Sequence, residues 1–169
     1  SAGAYSLNLR SDNGTDQAVS FTLSAASTAD GLSSAIAAIN DQSSKTGVTA
    51  ALDNTGTAII LTNATGNDIR VADTAVVNSG AVTVQKLAAD GTNSGAAATL
   101  AADSTADSTL TSGYITLDSE KSFAIDNSTS AATDVFADSA STLQKVSDLD
   151  ITTFGKATEA LKTVDSALA

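Results

Sequence analysis

A stripe of apolar residues in the first third of the chain limits most strongly how the chain can fold. Leu32, Ile36 and Ile39 follow the spacing of three and four residues that places side chains on one face of an α-helix. Ser27 and Asp30 form a helix start ahead of this face. The stripe predicts an amphipathic helix that must cover another apolar surface.

Three short apolar segments follow the helix and predict β-strands. They begin after Gly47 and are separated by turn residues that include Gly56. The segments are Val48 to Leu52, Ala58 to Leu61 and Ile69 to Val71. Residues 27–72 are therefore predicted to form one α+β unit, in which the strands make a meander and the helix covers one face of it.

Two hairpins and one further strand are expected outside this unit. Apolar residues alternate on both sides of a polar turn in 5–23, and again on both sides of a polar link in 115–125. Val82 and Val84 predict an additional strand. The fold class is therefore α+β with a majority of strands.

Residues 88–113 are rich in Ala, Ser, Thr, Asp and Gly, with Leu100 and Leu110 as their only large aliphatic residues before the next strand. Such a composition predicts a low-complexity surface excursion without a core of its own. A short helical turn is expected over 96–102. Residues 134–146 give only a weak helical signal through Val135 and Phe136.

The C-terminal residues show the pattern of a helix that packs against other helices. Their apolar positions recur at spacings of three and four, as in an a/d seam. The seam consists of Phe154, Ala157, Leu161, Val164 and Leu168. No breaker follows these residues, so we expect the helix to be cut short where the chain ends.

The composition predicts a thin core and an acidic surface. Only 36 of the 169 residues are Val, Ile, Leu or Phe, whereas 33 are Ala. The formal charge of −11 repels nucleic-acid phosphates and anionic lipids, so neither nucleic acid nor a membrane is an expected partner. No apolar run is long enough for a signal peptide or a transmembrane helix, and the absence of Met suggests an excised or processed chain.

The residue inventory argues against an enzyme. Cys and His are absent, and no Ser stands three residues before a Lys, so we predict no catalytic residues, no cofactor and no metal site. Asp12 to Asp16 is similar to the start of a calcium loop, but Leu23 occupies the position where such a loop needs a bidentate Glu. A hairpin turn is the expected role of these residues, and carboxylate pairs assembled only in three dimensions remain an open alternative.

The order of helix, turn and strands resembles the hook IN motif of bacterial flagellins. The resemblance rests on Ile39-Asn40 at the helix end, Gly47 to Ala50, and Ile59 to Thr62. The residues that carry this structural motif are Leu32, Ile36, Ile39, Asn40, Gly47, Gly56, Ile59 and Leu61. A second match, Leu149 to Phe154 and the seam after it, is similar to the place where a flagellin's variable domain returns to its conserved helix.

The resemblance implies an outer, strand-rich domain over 1–148 and the start of a filament-core helix over 149–169. It implies a structural subunit of the extracellular flagellar filament that contributes to motility and surface antigenicity. The implied partners are other copies of the subunit, bound through helices mostly missing here, together with host antibodies and innate receptors.

Two other functions remain open from the sequence. A filament cap or hook-associated protein would share the hook IN motif. An adhesin or sugar-binding β domain would belong to a different class, and it would need an aromatic platform that two Tyr, four Phe and no Trp supply poorly.

Overall fold

The protein is described by a computed structural model that covers residues 1–89, 91–117, 119, 121–125, 139–152 and 154–168. The chain divides into two compact units, Ser1–Ile115 and Thr116–Ala169. The boundary predicted between residues 148 and 149 separates an outer domain from a filament-core helix, and it stays a prediction.

Unit 1 combines one long helix, one short helix and eight strands, which confirms the α+β class. Its elements are β1 (Gly3–Arg10), β2 (Gln17–Leu23), α1 (Ala29–Asp41), α2 (Ser43–Thr46), β3 (Val48–Leu52), β4 (Ile59–Asn63), β5 (Ile69–Asp73), β6 (Val82–Val84), β7 (Ala98–Leu100) and β8 (Ser108–Thr111).

The largest sheet of unit 1 is antiparallel and has the strand order β2-β1-β5-β8. The predicted first hairpin is confirmed, because Tyr5 lies opposite Phe21 and Leu7 lies opposite Val19. On its other side β1 pairs with β5, where Leu9 lies opposite Val71. β1 is thus an interior strand whose alternate residues face the core.

The predicted meander is wrong in its third strand. β3 and β4 pair as a separate two-stranded sheet, with Ala50 opposite Leu61, whereas β5 pairs with β1 and β8. Gly66, at a φ of +81°, lies in the segment that redirects the chain between β4 and β5. Val71 is buried against β1 in this arrangement, so the pairing follows burial and not nearness along the chain.

The core of unit 1 lies between α1 and the sheets, since α1 packs against β2 and β3. One cluster of buried residues contains Leu7, Leu9, Val19, Ile39, Val48, Ala50, Val71 and Leu100. A second contains Tyr5, Leu23, Leu32 and Ala35. The rings of Tyr5 and Phe21 stack with centroids 5.7 Å apart beside this second cluster.

The helical turn predicted at 96–102 is wrong, and residues 88–113 do contribute to the core. β7 pairs with β6 so that Leu100 lies opposite Val82, and only 2% of Leu100 is exposed. β8 completes the edge of the large sheet beside β5. Alanine has the highest helix propensity, but the preference is small per residue, and burial of one leucine in a strand outweighs it.

The start of α1 lies one residue later than the predicted cap. The Thr28 hydroxyl accepts a hydrogen bond from the Gly31 amide at 3.2 Å, so Thr28 and not Ser27 is the N-cap. A Cβ on Gly31 would overlap the carbonyl oxygen of Ala25. This close approach of backbone to backbone requires glycine in the first turn.

The described residues of unit 2 form two very short strands, a 3-10 turn and one α-helix. The elements are β9 (Ala124–Ile125), β10 (Ser139–Ala140), a 3-10 turn (Val146–Asp148) and α3 (Phe154–Leu168). The predicted C-terminal helix is therefore confirmed. Val135 and Phe136 lie outside the described residues.

The second predicted hairpin is wrong. Ile125 pairs with Ser139 of β10, and neither Ile115 nor Leu117 lies in a strand. Two alternating apolar residues bury too little surface to fix a strand register. Within the described ranges, no helix is long and apolar enough to cross a membrane.

We predict that Leu100→Ala lowers the free energy of unfolding by about 2–5 kcal/mol, because it leaves a cavity in the core. Leu110→Ala on β8, the next strand in the chain, is the matched control, since 60% of Leu110 is exposed, and it should change stability by no more than about 0.5 kcal/mol. Urea unfolding followed by circular dichroism measures both. Equal effects of the two substitutions would contradict the placement of β7 in the core.

Candidate functional site

The predicted motif residues occupy both faces of the contact between α1 and the β3-β4 sheet. Leu32 and Ile39 are each 5% exposed, and Ile36 is half-buried on the same helix. Ile59 and Leu61 of β4 are half-buried and pack against the main core cluster. The structure thus brings the five apolar motif residues into one region of unit 1.

Asn40 joins the end of α1 to β3 through its side-chain amide. Its Nδ2 donates to the Ala50 carbonyl at 2.9 Å, and its Oδ1 accepts from the Ala50 amide at 2.7 Å. The amide thereby pairs with both backbone groups of one residue, as a neighbouring strand would. Asn40 fixes the position of the helix end relative to the strand.

Gly47 turns the chain from α2 into β3. It caps α2 in the left-handed region at a φ of +70°, and its amide donates to the Ser43 carbonyl at 2.8 Å. A Cβ on Gly47 would also overlap the Asp12 carboxylate. Glycine is needed here for the backbone conformation and for the approach of Asp12.

Asp12 connects three segments of unit 1, and sequence reasoning missed this role. Its amide donates to the Thr46 carbonyl at 3.0 Å. Its Oδ1 accepts from Asn63 at 2.7 Å and from Asn67 at 2.8 Å. The only sequence signal for this arrangement is the run of turn-forming polar residues over 63–67.

The hydrogen bonds to Asp12 also set its protonation. The side-chain amides of Asn67 and Asn63 lower the pKa of Asp12 from its ordinary value, against a smaller opposing effect of desolvation. At neutral pH the carboxylate is therefore a stable acceptor. The residues that resembled the start of a calcium loop serve here as an internal connection between loops.

Asp16, at the other end of that stretch, forms ion pairs with both arginines of the chain. Arg70 Nη1 lies 2.9 and 2.8 Å from the two Asp16 carboxylate oxygens, and Arg10 Nε lies 3.9 Å from Oδ1. Arg10 and Arg70 are also direct cross-strand neighbours on β1 and β5. The negative charge of Asp16 therefore offsets the repulsion between the two arginine side chains on these neighbouring strands.

Asp53 and Gly56 shape the turn between β3 and β4. Asp53 Oδ1 accepts from the amides of Thr57 at 2.8 Å and Ala58 at 2.9 Å, and the Thr55 hydroxyl donates to Oδ2. The Thr55 hydrogen bond and the Ala58 amide lower the pKa of Asp53 to about 2. Gly56 takes a φ of +71° in this turn.

In unit 2 the predicted seam lies along α3, with Phe154 as the first helical residue. Ala157 is half-buried, whereas 73% of Leu161, 38% of Val164 and 82% of Leu168 is exposed. An apolar row at helical spacing therefore lies open to solvent along this helix.

Asp150 fixes the chain just before α3. Its Oδ1 accepts from the Thr152 amide at 2.8 Å and from the Thr152 hydroxyl at 2.6 Å, while Lys156 Nζ donates to Oδ2 at 2.6 Å. The hydrogen bond from Lys156 and those from Thr152 hold the pKa of Asp150 well below its usual range. The negative charge of Asp150 lies beside the first turn of α3, where it interacts favourably with the helix dipole.

Comparisons with known proteins agree on one family. The flagellin hook IN motif matches residues 6–65. The chain is 34% identical over 134 residues to B-type flagellin from Pseudomonas aeruginosa, an alignment that covers 78% of this chain and 27% of that flagellin. The resemblance to bacterial flagellins is confirmed. No solved structure gives a significant match.

The hook IN match covers more of the N-terminal region than the unit 27–72 named from the sequence. It begins within β1 and ends in the turn after β4, so it contains the first hairpin, α1 and the β3-β4 sheet. β5 lies outside the match although it pairs with β1. The hook IN motif therefore folds against a strand that is not part of it.

We predict that Gly47→Ala destabilises the protein more than Gly56→Ala does. Both positions have nearly the same positive φ, of +70° and +71°, which costs a non-glycine residue about 1–2 kcal/mol. Only the Cβ at Gly47 meets the Asp12 carboxylate, whereas the nearest atom at Gly56 is 3.7 Å away. Urea midpoints of the two variants measure the difference, and equal losses would show that Asp12 does not restrict Gly47.

The Asp53 turn should also make stability depend on pH. The folded-state pKa of Asp53 is about 2, below the ordinary aspartate value of 3.8, so its contribution is present above 3.8 and is lost as the pH falls toward 2. We expect Asp53→Asn to lower the melting temperature at neutral pH, with a difference from wild type that shrinks below 3.8. A difference that is constant across this range would disprove the effect of ionisation.

Proposed function

We propose that this chain is the part of a flagellin that carries the surface-exposed domain, and that the parent protein is a structural subunit of the extracellular flagellar filament. The identity to B-type flagellin over most of this chain is the main support for the proposal. The hook IN match, which falls within unit 1, supports it independently. Because the chain spans about a quarter of that flagellin, we assign the function to the whole subunit and not to this part alone.

The two units would have different tasks in such a subunit. Unit 1 has its own apolar clusters and would be displayed on the filament surface, where host antibodies would reach it. In unit 2, Leu161, Val164 and Leu168 would be covered by helices of the same subunit and of neighbouring copies. Contacts repeated head to tail between copies generate an open helical filament.

A mechanical role agrees with the chemistry of the side chains. The chain lacks His and Cys, and Asp12, Asp16, Asp53 and Asp150 are each engaged in hydrogen bonds that position the chain. We therefore propose a structural protein and not an enzyme. The identity to a flagellin, and not only to the hook IN motif, favours the filament subunit over a cap or hook-associated protein.

We predict that Leu161→Asp together with Leu168→Asp abolishes filament assembly of the full-length subunit. Each substitution would place an unpaired charge in the apolar contact between helices. Electron microscopy and sedimentation of purified subunit measure assembly. Ser166→Asp is the control, because Ser166 is an exposed residue of α3 outside the seam, and filaments should form normally with it.

The 169-residue chain alone should remain monomeric or only weakly associated, since a helix of 15 residues is near the lower limit of about 12–15 residues for stability in water. Antibodies raised against it should label intact filaments along their surface. Filaments formed by this chain alone, or full assembly of the double Asp variant, would refute the assignment of assembly to α3.

A further inference from the structure

Asp73, at the end of β5, is a buried carboxyl group that the proposed function does not use. Only 7% of the residue is exposed. Its Oδ1 accepts from Asn78 Nδ2 at 3.1 Å, whereas its Oδ2 has no hydrogen-bond partner among the described residues. A buried carboxylate oxygen without a donor is unfavourable when the group is ionised.

Several segments of unit 1 meet at this residue. The Asp73 amide donates to the Asp107 carbonyl at 2.9 Å, and Asn8 Nδ2 donates to the Asp73 carbonyl at 3.2 Å. Asn78 in turn accepts from the Ser6 amide at 2.7 Å. Asp73 therefore joins β1, β5, the segment after β5 and the connection between β7 and β8.

The charged groups that act on Asp73 both come from the β7-β8 connection. Burial raises the pKa of Asp73, and the negative charges of Asp107 and Asp103 raise it further. The Asp107 carboxylate is held in place by the Ala101 amide at 2.8 Å. β1 and the segment after β5 contribute the uncharged groups of Asn8, Ser6 and Asn78 to this region.

We propose that Asp73, Asp103 and Asp107 form a pH-sensitive contact that holds the β7-β8 connection against the end of β5. Protonation of Asp73 removes its buried charge and the repulsion from Asp103 and Asp107, so the contact is firm in acid. Ionisation restores three converging negative charges and loosens the connection. The contact is a conformational device of unit 1 and does not depend on the function of the whole subunit.

The direction of the pH effect follows from linkage. The unfavourable contribution of Asp73 is complete above its folded-state pKa and disappears as the pH falls below the ordinary aspartate value of 3.8. Asp12 and Asp53 act in the opposite direction, because their pKa values are lowered. The effect of Asp73 must therefore be measured as a difference between matched variants.

Asp73→Asn tests the proposal, since an amide keeps the acceptor for Asn78 and removes the charge. At about pH 7.5 its unfolding equilibrium constant in urea should be several-fold lower than that of wild type, and at about pH 3, where Asp73 is protonated in both the folded and the unfolded chain, the two should converge. Asp68→Asn, which removes an exposed charge just before β5, should show no such convergence. A variant that is less stable than wild type at both pH values, or a gap that does not change with pH, would overturn the proposal.

Two measurements on the wild-type chain keep the test decisive even if the variant folds poorly. A carbon NMR titration should place the midpoint of Asp73 above the ordinary aspartate value of 3.8. Hydrogen exchange of the Ala101 amide, corrected for the intrinsic pH dependence, should be slower in acid than at neutral pH. A midpoint at or below 3.8, or protection of Ala101 that is independent of pH, would refute the contact.

Discussion

The pairing of β1 with β5 is the constraint on which unit 1 depends. β1 is bonded on one side to β2, its neighbour in sequence, and on the other to β5, which lies more than fifty residues later in the chain. This long-range pairing encloses α1 and the β3-β4 sheet within one unit. It carries a larger loop-closure cost than a meander would, and the buried pair Leu9 and Val71 offsets that cost.

Because the core is thin, polar side chains also fix the positions of the helices and strands. The chain has 33 alanines and 36 larger aliphatic or phenylalanine residues, so apolar contacts alone position few elements firmly. Asn40 pairs with the backbone of Ala50, Asn78 with that of Ser6, and Asp12 with the side chain of Asn63 at the end of β4. Directional hydrogen bonds specify a register where packing is weak, and each unmade bond would cost about 1–3 kcal/mol once buried.

The sequence predicted those features whose signals are local. Periodicity located α1, α3, the first hairpin and the strands up to β6, because each has several apolar residues in a row of the correct spacing. Periodicity failed for β7, because a single leucine among alanines and polar residues is the buried side chain of that strand. It also failed for the partner of β5, since apolar alternation shows that a strand exists but not which strand it joins.

The residues of the candidate site likewise fall into those with a local sequence signal and those whose partners are distant in the chain. Ile39, Gly47 and Gly56 could be named from helix, cap and turn chemistry, whereas Asp12 could not. Its partners Asn63 and Asn67 are more than fifty residues away, and nothing in a single sequence links them. Asn40 was named from family resemblance, and only the structure gives the physical reason, its two hydrogen bonds to Ala50.

The seam of α3 leaves large apolar side chains of unit 2 exposed. Full burial of a leucine or valine side chain stabilises a protein by about 1.5–3 kcal/mol. Leu161, Val164 and Leu168 remain exposed, so much of this stabilisation is not realised in unit 2. Asp150 and Lys156 fix the start of the helix through a local ion pair. In the proposed filament subunit, assembly through this seam would draw on surface that unit 1 does not use for its own clusters.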